Sequence, residues 1–64
     1  MKKVYIVTYN RVDAKGVVIL NEIWHVSSSL GRAKCWCWDH RHVEYINKNE
    51  SAKLIIEEVE VDDE

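Results

Sequence analysis

SSSLGRAKCWCWDHRHVEYIN, residues 27–47, separates two strand-like stretches, and its reading decides the fold. Ser27, Ser28 and Ser29 offer helix N-caps. From Leu30 to about Asn47 the pattern is helical. At about 100° per residue, Leu30, Ala33, Trp36, Cys37, His40 and Val43 share one arc, the expected core face. Cys35, Trp38, His42, Tyr45 and Ile46 fall on another side. Gly31 weakens the first turn. Asn47 suits the position just past a helix end, and residues 47–51 read as a polar loop.

On the N-terminal side, Lys3 to Val12 is dense in β-branched and aromatic residues and reads as a strand. Asp13-Ala14-Lys15-Gly16 is turn chemistry, with Asp opening and Gly closing a hairpin loop. Val17 to Val26 is the return strand. On the C-terminal side, Lys53 to Val61 reads as a third strand that fades into Asp62-Asp63-Glu64. The expected fold is α+β. One small domain, residues 1–64, runs β-β-α-β, with a three-stranded, mainly antiparallel sheet and one helix on one face.

The chain has 64 residues, 47% hydrophobic and 31% charged, with a net charge of −2. This is a globular balance. The longest apolar run, Val17 to Leu20, is far too short to span a membrane. Two cysteines are too few for a disulfide scaffold and point to a reducing cytoplasm. A domain this small has little room for both a core and a deep substrate pocket, which favours a binding module over an enzyme.

Strand alternation gives the sharper signal. Val4, Ile6 and Thr8 share one side of the first strand, and Tyr5, Val7 and Tyr9 the other. In the second, Val18, Leu20, Trp24 and Val26 oppose Val17, Ile19 and Ile23. Both sides are largely apolar, whereas one helix covers only one face of a sheet. An open sheet face or the second helix arc is therefore an interface. Self-association, as a dimer through the aromatic sheet face or that arc, is expected. Tyr5, Tyr9, Trp24, Trp38 and Tyr45 are the candidate apolar anchors, being types that anchor interfaces.

Charge is divided too. Residues 1–56 hold nine basic against five acidic residues, +4, while residues 57–64 hold six acids and no base, −6. Glu57, Glu58, Glu60, Asp62 and Asp63 make a candidate acidic patch for steering onto a basic partner. A solvated, frayed strand end that discourages edge pairing explains the same run.

Cys35-Trp36-Cys37-Trp38-Asp39-His40-Arg41-His42 gathers four metal-ligand types. On a helix the two cysteines point about 200° apart, as do the two histidines. Only Cys37, His40 and Glu44 could converge, and they lie on the core arc, so neither metal nor cofactor is expected. No third group orients a Cys37–His40 nucleophile, and no catalytic motif accompanies it. Nucleic-acid binding is the alternative function. Arg32, Lys34 and Arg41 lie on the helix near Lys48, and Tyr5 and Tyr9 could stack bases. The acidic C-terminus opposes affinity that rests on phosphate contacts.

No motif places the chain in a family. The β-β-α-β order at this length resembles that of several small phage-encoded proteins that inhibit host enzymes. The resemblance covers topology alone. It implies a phage- or mobile-element-type modulator or inhibitor that binds a host protein.

Overall fold

A computed structural model describes residues 2–62. The elements are β1 (Lys2–Asp13), β2 (Val18–Ser27), α1 (Leu30–Asp39), a 3-10 turn (Arg41–Val43), β3 (Tyr45–Ile46) and β4 (Glu50–Val61). The four strands form one antiparallel sheet in the order β2-β1-β4-β3. The chain is thus a small α+β domain with one α-helix and a four-stranded sheet. Among the described residues no helix is long and apolar enough to cross a membrane.

The first hairpin closes as its sequence requires. Asp13 Oδ1 accepts from the amides of Lys15 and Val17 at 2.8 and 2.9 Å. Gly16 takes a φ of 84°, the left-handed region where a Cβ is strained. Ser29 caps α1: its backbone is extended and its Oγ accepts from Arg32 N at 3.4 Å.

The helix is shorter than its expected run to Asn47. It stops at Asp39, where His40 N is shared between the carbonyls of Trp36 and Cys37 at 3.1 and 3.2 Å. Glu44 is already extended, at φ −81° and ψ 138°. Tyr45 and Ile46 follow as a two-residue strand, a fourth strand where three were expected. Asn47 is not a helix terminus. Its Oδ1 accepts from the amides of Asn49 and Glu50, both at 2.8 Å, and turns the chain into β4. The expected loop at residues 47–51 therefore shrinks, and β4 begins at Glu50 rather than Lys53.

β1 is central and its two faces differ. Tyr5, Val7, Tyr9 and Arg11 point toward α1, and their β4 partners there are Glu58, Ile56, Leu54 and Ala52. This face holds the core: Val7 and Ala33 are 0% exposed, and Tyr9 and Ala52 are buried. Most of the expected core arc meets it, with Ala33 buried and Trp36, Cys37, His40 and Val43 half-buried, whereas Leu30, the first member of that arc, is 40% exposed.

The alternation expected in β2 fails at two bulges. Val7 pairs with His25 but Thr8 pairs with Ile23, which leaves Trp24 unpaired; Ile19 is skipped in the same way. A bulge puts consecutive side chains out of strict alternation. Trp24 and His25 consequently both reach the helix side, where Trp24 stacks on Tyr9 at 4.2 Å and His25 on Trp36. Ile23 and Val26 share the opposite face, beside Thr8 and Ile6.

Among the described residues no second layer covers that opposite face. The molecule measures 46 × 23 × 12 Å. Its accessible surface is 4893 Å², against about 4,300 Å² for a compact monomer of this mass. Its radius of gyration is 13.4 Å, against about 10.7 Å for a globular chain of this length.

Candidate protein-binding surfaces

Three aromatic rings fasten the helix to the sheet. His25 and Trp36 stack with centroids 5.0 Å apart and Trp36 and His40 at 3.8 Å, so the indole lies between two imidazoles. His40 Nδ1 is 2.8 Å from the Trp36 carbonyl. A carbonyl only accepts, so that nitrogen carries the proton. His42 stands apart, tilted, at 6.3 Å from His40.

This packing engages the candidate metal residues elsewhere. His40 is stacked and hydrogen-bonded within α1. Glu44 Oε2 accepts from Leu54 N at 2.9 Å. Burial, and then the nearby Glu44 carboxylate, push the Cys37 thiol above its usual range, which keeps it protonated rather than a reactive thiolate. Both cysteines are free. Among the described residues no group of three or more His, Cys, Asp or Glu side chains is placed to hold a metal ion.

Trp38 lies on the outer side of α1 and is 65% exposed. The Arg41 guanidinium sits 3.9 Å from its ring centroid and donates to the Trp38 carbonyl at 2.9 Å. A cation over an indole face is a favourable pair. It holds Arg41 and leaves Trp38 oriented rather than free to swing. Beside them runs an open groove of about 270 Å³ lined by Lys34, Cys37, Trp38, Arg41, Glu44 and Ile56.

The remaining candidate anchors divide. Tyr9 is buried beneath Trp24, and its hydroxyl donates to the Val43 carbonyl at 3.4 Å. Tyr5 is half-buried and donates to Glu58 at 3.3 Å. The tyrosine face of the sheet is therefore the covered one, and a dimer through an open aromatic sheet face is corrected: the open face is aliphatic. The same placement removes Tyr9 from base stacking. Arg32 and Lys34 remain exposed on α1, whereas Arg41 is occupied by Trp38. Tyr45, 37% exposed, belongs to a polar network.

That network was not foreseen. Arg11 Nη2 donates to both oxygens of Glu50 at 2.8 and 2.9 Å, and the Tyr45 hydroxyl donates to the same carboxylate. Glu22, on β2, accepts from Trp24 Nε1 at 3.4 Å and takes no part in the network. The Tyr45 hydrogen bond, then Arg11, hold Glu50 below the usual carboxylate range. A depressed folded value means stability that is complete above the unfolded value, about pH 4.3, and is lost as pH falls through the folded one. Glu50→Gln will lower the urea midpoint at neutral pH. The gap to wild type will narrow when the titration is repeated near pH 3. A gap that stays constant with pH would show that the carboxylate charge is not what stabilises this corner.

The acidic run does not form one patch. Glu57, Glu58 and Glu60 lie within β4, not in a frayed tail. Glu57 is on the open face beside Ile6, while Glu58 and Glu60 are on the helix side beside Tyr5 and Lys3. Lys3 Nζ approaches Glu58 at 3.7 Å. Asp62 follows the strand, and Asp63 lies outside the described residues.

The open face was anticipated as surplus apolar surface but not residue by residue. It carries Val4, Ile6 and Val12 of β1, Val18, Ile23 and Val26 of β2, and Ile55 and Val59 of β4. Ile23 is 65% exposed, and Ile46 on β3 is 87% exposed. The two bulges hid its membership, because strict alternation separates Ile23 from Val26. No protein-family model, curated protein or solved structure matches this chain.

Proposed function

We propose that this chain is a small binding module that works by protein–protein contact, with Trp38 at the centre of the surface it offers to its target. The carrying observation is the Trp38–Arg41 pair: a mostly exposed indole, held by a stacked guanidinium, beside an open groove. Trp and Arg are the types that most often dominate binding energy, and a pre-oriented side chain loses less entropy on docking. The module modulates or inhibits its target by occupying a surface, and this reading assigns no chemistry to the chain. A cytoplasmic site of action and a phage- or mobile-element origin accord with it but rest on sequence character alone.

The test is capture of binding proteins on immobilised chain from nuclease-treated lysate, wild type beside Trp38→Ala. One near-stoichiometric protein held by wild type and lost with Trp38→Ala is the expected result. A truncated anchor of this kind weakens binding by about 2 kcal/mol or more, some thirtyfold. Equal capture by both, or no capture, overturns it. An anisotropy change with short oligonucleotides at about 50 mM salt, steeply weakened by more salt, would install the nucleic-acid reading instead.

A further inference from the structure

We infer that a second copy of this chain covers the open sheet face, packed face to face about a two-fold axis crossing the strands at Ile55. This surface is separate from the one around Trp38, so the inference goes beyond that reading.

The first argument is area. Three strands at a spacing of about 4.8 Å, each about ten residues long at about 3.3 Å per residue, present roughly 470 Å² of plane. Two copies bury roughly twice that before the corrugation of side chains is counted. The total comes close to the roughly 1,200 Å² at which specific interfaces begin. The face runs the length of the sheet, as a partner of the same dimensions requires, and one polar row, Asn21, Asn10 and Lys53, crosses it.

The second argument is charge, and it selects the partner and the direction. Lys53 and Glu57 are exposed charges on this face, with Ile55 midway between them. Four residues of strand put them about 13 Å apart, too far to pair within one chain. Among the described residues neither has an ion-pair partner. A transverse two-fold at Ile55 reverses the strand direction, so Lys53 of each copy meets Glu57 of the other. Both charges are then matched twice, and no other kind of molecule is needed to match them.

The third argument is overlap. Thr8 pairs with Ile55 on one side and Ile23 on the other, so Ile23, Thr8 and Ile55 form a row across the sheet. β1 spans residues 2–13 and β4 residues 50–61, and this row lies next to the midpoint of both. The axis that matches the charges is also the one that covers most of the face. Ile23 and Ile55 then meet their own counterparts at the centre, where Ile23 is now 65% exposed. The row Asn21, Asn10 and Lys53 meets the row Val26, Ile6 and Glu57, which places both ion pairs at the β4 side of the interface. Sheets stacked in this way cross at about 30°.

Sedimentation equilibrium on the full chain tests the assignment. The wild type is expected at twice the 7.6 kDa chain mass. Lys53→Glu will weaken dimerisation about tenfold, since two attractive contacts become two repulsive ones. The swap Lys53→Glu with Glu57→Lys will restore it. Ile23→Lys will leave monomer, and Trp38→Ala will leave the dimer intact. All four positions are exposed, so far-UV circular dichroism of each variant will match wild type. Wild type at the single-chain mass up to near-millimolar concentration overturns the inference. So does a dimer indifferent to Ile23→Lys, or a swap that fails to restore what Lys53→Glu removed. None of these results bears on target capture through Trp38, so the two readings fail separately.

Discussion

Trp36→Ala will lower the thermal midpoint by about 10–20 °C, the larger of the two strongest effects expected here. Trp36 carries the attachment of α1 to β2, because its indole is stacked on His25 from one side and on His40 from the other. Truncating a core Trp to Ala costs about 3–5 kcal/mol. Trp36 is half-buried, which reduces the figure to about 2–3 kcal/mol. Domains of this length have about 3–10 kcal/mol in all, so the variant gives up a large part of its stability. Trp38→Ala is the internal control. Trp38 is on the same helix but faces solvent, and surface truncations stay within about 0.5 kcal/mol. Far-UV melts of the two variants side by side would decide it. Equal midpoints would mean that the ring stack does not fasten the helix.

The parts of the fold legible in the sequence are those set by local chemistry. Asp13 and Gly16 specify their turn through one side-chain acceptor and one positive φ, and the hairpin follows. Ser29 specifies the helix start. Ala33, Trp36, Cys37 and His40 share an arc at helical spacing, and that arc meets the sheet. What was not legible depends on partners distant in sequence. The bulges at Ile19 and Trp24 arise from how β2 pairs with β1, and they move Trp24 and His25 to one face. The end of α1 at Asp39 is a competition that local pattern leaves open. Val43, Tyr45 and Ile46 suit a strand as well as a helix, and β4 offers Ser51 and Ala52 as pairing partners. Arg11 finds Glu50 across 39 residues, a contact no spacing rule suggests.

The acidic run takes on a plainer meaning in the same light. β3 pairs only with Ser51 and Ala52, so β4 beyond that point has an outer edge with no strand beside it among the described residues. Glu57, Glu58 and Glu60 alternate between the two faces of that edge. A second β4 laid alongside in parallel register would bring like charges together on both. Charged edges of this kind block strand-to-strand aggregation. β2, the other edge, has Glu22 and two bulges, which interrupt its ladder and increase its twist. Both edges are thus disfavoured for open-ended growth, while the uncovered face carries charges that a closed two-fold pair can match. Of the two explanations the sequence offers for the acids, a docking patch and a strand end that discourages edge pairing, this placement supports the second, with Glu57, Glu58 and Glu60 inside the strand.

Ala33→Leu will also destabilise the chain, by about 1–3 kcal/mol, even though it adds apolar surface. Ala33 is 0% exposed and is the only fully buried residue of α1. It marks the closest approach of the helix to the sheet, over a face whose other buried members are Val7, Tyr9 and Ala52. Three further carbons there must be fitted where the side chain is already fully enclosed. The helix must lift, and lifting it separates Trp36 from His25 at the same time. Ala33→Gly removes a methyl group instead and costs about 1 kcal/mol through helix propensity alone, so a glycine loss beyond that figure, together with the leucine loss, identifies a contact set by size. The measurement is the urea midpoint of the two variants against wild type, with the near-ultraviolet signal of the tryptophans recorded alongside. A leucine variant as stable as wild type would mean that α1 rides loosely on the sheet, and the position of Trp36 between its two imidazoles would then need another cause. A leucine variant that loses both stability and the aromatic signal would tie Ala33 and Trp36 into one contact, in which the smallest side chain of the helix sets the distance that the largest one requires.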